Sequence, residues 1–206
     1  MPTRRPRRAF QHELPRELER AARTHASARV ELWAEDEHRI GLKPILRKVW
    51  AKRGRRPVAV IRPRYRWLYV VAFVHPQTGQ SVWWTVSKLD AELFHALLVA
   101  FAEELGLGAE RRVLLVLDGA GWHTGEKVKP PSGIDLLLLP AYSPELQPAE
   151  HLWALCDAVL LNRAFDTLPQ LEAVLAPHLV RLTEQLQRIR SLTLFHWWPL
   201  TRPPPL

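Results

Sequence analysis

Three carboxylates stand where a folded chain can bring them together. Asp36 ends the stretch RVELWAED, and Asp118 follows the five apolar residues VLLVL and precedes Gly119-Ala120-Gly121. Glu150 lies in SPELQPAEHLW, in the first turn of an expected helix. Carboxylates delivered by two strand ends and one helix can hold divalent cations, and hard oxygen ligands favour magnesium or manganese. Two such ions roughly 4 Å apart activate a water or a hydroxyl for in-line attack on phosphorus and stabilise the leaving oxygen. The chemistry in view is phosphodiester cleavage or transfer.

Each carboxylate has a second reading. Glu37 follows Asp36, so residue chemistry alone leaves the ligand open between the two. Asp118 stands at the carboxyl end of an apolar strand, where open sheets carry their chemistry, but Asp also starts turns. With Gln147 as N-cap and Pro148 as the first helical residue, Glu150 falls at the capping-box position. Gln is a poor cap, and Asp157 offers another carboxylate two turns along. His123, five residues after Asp118, suits a structural hydrogen bond in a turn as well as support of a metal ligand or contact with phosphate. His38 and His151 also lie near the carboxylates, yet no HExxH or CxxC spacing supports zinc.

Around these motifs, residues 11–26 read as an amphipathic helix with Leu14 and Leu18 inward, preceded by a basic, proline-broken start, MPTRRPRR, that reads as a disordered arm. Arg29–Glu35 alternates as a first strand with Val30 and Leu32 inward. Two strands, 66–75 and 80–87, are joined by the turn HPQTGQ. Asp90 caps a helix to about Leu105 with Leu93, Leu97, Leu98 and Phe101 on its apolar stripe. The apolar runs Val113–Leu117 and Ile134–Leu139 are expected to be strands covered on both faces. A helix from Pro148 to about Asn162 follows, then one from near Leu168 to Arg190 bent at Pro177, and regular structure ends by Pro199. This order predicts a mixed α/β sheet flanked by helices.

Composition narrows the partners. The 206 residues are 47% hydrophobic and 24% charged, ordinary for a globular chain, and no apolar run reaches the ~18 residues of a membrane span. The single cysteine, Cys156, excludes an intramolecular disulfide or a zinc–thiolate cluster and fits a reducing cytoplasm. The net charge of +8 is unevenly placed: from Arg39 to Arg66 there are eleven Lys or Arg and no Asp or Glu. That run predicts a polyanion-facing surface, with Lys52, Arg53, Arg55, Arg56, Arg64 and Arg66 as DNA contacts. Trp50, Tyr65 and Trp67 within it suit base stacking or, if in strands, the core.

From about Ala9 to Trp198 the three acidic motifs, in this order, resemble the DDE transposases of the mariner superfamily, in their bacterial insertion-sequence branch. The resemblance implies a ribonuclease H-like fold with the first strand central and the Asp118 strand beside it. It implies Asp36, Asp118 and Glu150 as the catalytic residues and ligands of two Mg2+ or Mn2+ ions, with Glu37 and His123 in support or on phosphate. The implied reaction is DNA cleavage at element ends followed by strand transfer, in the prokaryotic cytoplasm at the nucleoid. The partners would be end and target DNA, a separate helix-turn-helix half, and a second copy in a homodimer; no membrane is implied.

The expected organisation is a basic arm and helix over 1–28, the catalytic domain over 29–165 and a C-terminal helix and tail over 166–206. With 28 residues ahead of the first strand, the chain reads as a catalytic half. Three features depart from the family pattern. Gly119 and Gln147 stand where Asn is usual, and the 32-residue interval from Asp118 to Glu150 is short, with Pro130-Pro131 in place of a longer helix. A catalytically impaired, DNA-binding remnant and another ribonuclease H-like nuclease are therefore the competing readings. A two-carboxylate glycosidase is disfavoured by the basic stretch.

Overall fold

The structure, a computed structural model, describes residues 4–55, 58, 64–123 and 128–201. Its centre is a five-stranded sheet of β1 (Arg29–Gly41), β2 (Trp67–His75), β3 (Gln80–Val86), β4 (Arg111–Leu117) and β5 (Ile134–Leu138), in the order β3-β2-β1-β4-β5. β1 pairs antiparallel with β2 and parallel with β4. β2–β3 is the expected hairpin, and β4–β5 is parallel. The first strand is central with the Asp118 strand beside it, as the resemblance implies.

Alternation along β1 builds a core on each face of the sheet. Val30, Leu32 and Ala34 face α1 (Arg4–Thr24), α3 (Trp153–Asp157), α4 (Leu168–Thr183) and α5 (Leu186–Thr193). Trp33 faces α2 (Ala91–Leu105). Phe10, Leu14 and Leu18 recur at i, i+4 and i+8 and bury the inner stripe of α1. α2 is closed at both ends: the Asp90 carboxylate accepts from the Leu93 N–H at 2.9 Å, and Gly106 takes the left-handed conformation at φ 62°.

Several expectations are corrected. α1 begins at Arg4, so residues 4–8 of the basic start are helical rather than a disordered arm, while residues 1–3 lie outside the described residues; Pro6 falls in the first turn, where the helix needs no N–H. On α2 the fully buried stripe runs through Phe94, with Leu93 only partly covered. β1 runs on to Gly41, because β2 continues to pair with it from Ala34↔Val74 to Gly41↔Trp67 after β4 has stopped. β5 is an edge strand, not one covered on both faces; Leu138 is 45% exposed.

The expected helix from Pro148 is broken into a 3-10 segment (Pro148–Leu152), the short α3 and turns to Asn162. Asn162 is left-handed at φ 57°, and its N–H is taken by the Ile45 carbonyl at 2.8 Å. The last long helix is interrupted at Glu184–Gln185, with Pro177 inside α4. The break lets α5 turn beneath the β2–β3 hairpin. There a Cβ on Gly79 would lie 1.9 Å from the Leu186 carbonyl oxygen, and Arg190 Nε donates to the Gln77 carbonyl at 2.9 Å. No helix among the described residues is long and apolar enough to cross a membrane.

Candidate active site

Sheet register brings the first two carboxylates together. The last parallel pair is Ala34↔Val116, so two residues further Asp36 and Asp118 lie on neighbouring strands and on the same face. Strand β4 ends at Leu117, and the chain peels away at Asp118 while β1 continues against β2. The 3-10 segment packs on that face through Ala149 and Leu152, both fully buried, and carries Glu150 to the same place. Asp36, Asp118 and Glu150 line one cleft of about 380 Å³, together with Gly119, Gln147 and the Leu139–Pro144 segment.

Their electrostatics differ. Asp36 is pushed up to about 8, first by burial and then by the neighbouring Glu150, against a lowering hydrogen bond from Trp153. Trp153 Nε1 donates to Asp36 Oδ2 at 2.9 Å. The indole is itself stacked on His38, with ring centroids 5.0 Å apart, and His38 Nε2 meets Asp157 Oδ1 at 2.9 Å. Asp118 is held below the ordinary carboxylate range by its bond to His123, although partial burial opposes this, and the Ala120 N–H donates to it at 2.9 Å. Glu150 is exposed, and its carboxylate has no hydrogen-bond partner among the described residues. It is not closing a capping box.

On the other face of β1, His123 is fully covered. Its Nδ1 lies 2.9 Å from Asp118 Oδ1 and 3.0 Å from the Asp118 carbonyl, and its Nε2 lies 2.9 Å from Glu37 Oε1. With oxygen acceptors at both nitrogens, the ring donates from both and is an imidazolium. Burial works against that charge, but the bonds to Asp118 and Glu37 and the field of Glu35 outweigh it and raise the pKa to about 11. Trp122 Nε1 also donates to Glu37 Oε1, at 2.7 Å. Glu37 therefore points away from Asp36, into the His123 network.

Sequence reasoning missed Glu35, wholly buried beside this network and raised well above the carboxylate range, first by burial and then by Glu37. Its only sequence signal was the run EDE, in which alternate residues must share a face. The anchoring indoles of Trp122 and Trp153 were also missed. Gln147 proves a working cap: its side chain accepts from the Ala149 N–H and donates to the Glu35 carbonyl at 2.7 Å. Around Gly119 a Cβ would meet nothing within 4 Å, so no close approach demands glycine there.

The described cations of the basic run are exposed. Lys52, Arg53, Arg55 and Arg66 are at the surface and make no ion pair among the described residues. Arg64 donates to the Asp166 carbonyl at 2.6 Å and is thus engaged within the chain. Arg56 lies outside the described residues. Trp50 and Tyr65 are not core: Trp50 is fully exposed and Tyr65 is 91% exposed, while Trp67 carries Arg39 over its ring at 5.1 Å. Cys156 is buried as expected, and burial pushes its thiol up.

Comparison with known proteins gives three findings. The family model of the DDE superfamily endonucleases matches residues 31–172. An uncharacterized protein of Sinorhizobium fredii is 32% identical over 132 residues, 64% of this chain and 96% of that protein. Among solved structures, the pre-cleavage Mos1 transpososome matches with a TM-score of 0.58 at 17% identity, and the Mos1 strand transfer complex with 0.54 at 18%; each covers 95% of this chain. This chain spans 65% and 64% of the length of those two chains, and the likeness is one of fold: a ribonuclease H-like mixed sheet flanked by helices.

Proposed function

The chain belongs to the DDE superfamily endonucleases, and we propose that it is the catalytic part of a transposase that cleaves DNA at the ends of an insertion element and joins them to a target. The observation that carries this reading is the register that sets Asp36 beside Asp118, with Glu150 brought over them in one cleft.

The donor set fits two Mg2+ or Mn2+ ions held by Asp36, Asp118 and Glu150: all the ligands are oxygens, the Glu150 carboxylate has no hydrogen-bond partner among the described residues, and burial already penalises charge on Asp36. When bound, such ions supply Lewis acidity at the scissile phosphate. The chain's own residues hold this arrangement. Trp153 fixes one oxygen of Asp36, the His123 imidazolium fixes Asp118 and keeps it ionised, and Gln147 ties the 3-10 segment to β1. Glu37 acts through His123.

Lys52, Arg53, Arg55 and Arg66 would grip phosphates, with Arg56 and Arg64 assigned the same role from sequence. Terminal-repeat recognition would come from a separate helix-turn-helix half, and paired ends from a homodimer at the prokaryotic nucleoid. The test is nicking of element-end duplexes with Mg2+ or Mn2+. Asp36→Ala, Asp118→Ala and Glu150→Ala should each abolish cutting; activity that survives all three substitutions overturns the reading.

A further inference from the structure

Behind the cleft, on the opposite face of β1, Glu35, Glu37 and His123 each offer one ligand atom within 4.8 Å of the other two. We propose that these three side chains form a separate, buried divalent-cation site that takes a transition-metal ion such as Mn2+ through one imidazole nitrogen and two carboxylates. It lies across β1 from the cleft, joined to it through the His123–Asp118 contact, and adds an ion to those that Asp36, Asp118 and Glu150 would hold.

The observation that calls for it is Glu35. The residue is 0% exposed, and neither carboxylate oxygen has a hydrogen-bond partner, although Oε2 lies only 3.6 Å from His123 Nε2. Buried ionisable groups are normally paired or bound to a metal. Glu35 is aimed into the cluster with only this longer contact to His123 and no hydrogen bond to either oxygen.

The two distances from His123 are those of a coordination shell. Ligand atoms each about 2.1 Å from an ion stand about 3.0 Å apart at right angles and about 3.4 Å apart at the tetrahedral angle. His123 Nε2 lies 2.9 Å from Glu37 Oε1 and 3.6 Å from Glu35 Oε2. The far side of the ring is arranged as for a metal-binding histidine, which hands its other N–H to a carboxylate or carbonyl. Here Nδ1 faces both the Asp118 carbonyl, at 3.0 Å, and Asp118 Oδ1, at 2.9 Å. Trp122 holds Glu37, and Phe94 packs against the imidazole with centroids 4.4 Å apart, so two of the three ligands are oriented in advance.

An entering ion would take the place of the proton between Nε2 and Glu37 and of any proton that burial keeps on Glu35, and these protons would leave to solvent. The nitrogen ligand favours manganese or a later transition metal over magnesium. The ion would clamp β1 to the segment 118–123, and through His123 it would hold Asp118.

The test counts Mn2+ per chain by equilibrium dialysis and looks for a directly bound nitrogen by pulsed EPR. The double variant Asp36→Asn/Glu150→Gln disables the cleft while keeping the Asp118–His123 contact. It should retain one Mn2+ with imidazole nitrogen coupling, and adding Glu35→Gln should weaken that binding at least tenfold. Loss of all Mn2+ from the double variant overturns the proposal while leaving the cleft reading standing. So does nitrogen coupling that persists in His123→Gln. If the double variant binds as many ions as the wild type and Glu35→Gln empties the wild type, this site stands and the cleft ligands have been misassigned. Should Glu35→Gln fail to fold, judged by circular dichroism, the nitrogen signal in His123→Gln decides.

Discussion

Trp153 Nε1 donates to Asp36 Oδ2 at 2.9 Å, across 117 positions of sequence. One oxygen of a carboxylate that is nearly buried is thereby committed to the protein. The indole is fixed in turn by the His38 ring stacked 5.0 Å away.

Trp153→Phe should keep the packing and lose the donor. A hydrogen bond to a charged group contributes about 1.5–3 kcal/mol, so the metal concentration for half-maximal nicking should rise by about tenfold or more. The melting temperature in EDTA should fall by a few degrees, since Trp153 is buried. An unchanged metal requirement would show that the indole only fills space.

Asp36 should make metal binding depend on pH. Its folded pKa of about 8 lies above its ordinary value of 3.8, so it contributes stability at low pH that is lost as pH rises through about 8. In EDTA the wild type should therefore lose stability relative to Asp36→Asn between about pH 4 and about pH 8. Metal must displace the proton, so the stabilisation given by Mg2+ should grow from about pH 6 to about pH 9. Thermal melts of both proteins across that range check the sign of each effect.

The basic surface should act through phosphates. Replacing Lys52, Arg53 and Arg55 with Ala should reduce the salt slope of duplex binding by up to about 0.9 for each phosphate no longer neutralised, with no change in sequence preference. Fluorescence anisotropy over a salt series measures it. A slope that stays the same would return these residues to ordinary solvated surface.

Gly119 has room beside it. Gly119→Asn should fold as well as the wild type, because a Cβ there meets nothing within 4 Å. It should also increase nicking, since it restores the amide usual after the second aspartate in the family this chain resembles. Single-turnover rates with Mn2+ test this; a lower rate would mean that the cleft is adapted to glycine.

Asp118 was legible because five consecutive apolar residues announce a buried strand and the carboxylate marks its end. Asp36 and Glu150 were found by motif, but their local structure was misjudged. The extension of β1 to Gly41 depends on β2, whose pairing residues lie up to forty positions away, and no local pattern reports it. The breakup of the helix after Pro148 depends on Asn162 reaching Ile45, again a distant partner. Glu35 was missed because an acidic residue in an exposed-looking EDE run gives no sign that both faces of its strand are covered. Alternation, once the strand is granted, separates Asp36 from Glu35 and Glu37; composition cannot.

That alternation makes β1 a sorting device for acids. Two carboxylates one methylene longer face the imidazolium side, and the shorter one faces the cleft. A single residue inserted or deleted between Val30 and Asp36 would exchange the sets while leaving a carboxylate on each side. Charge would survive such a slip and reach would not.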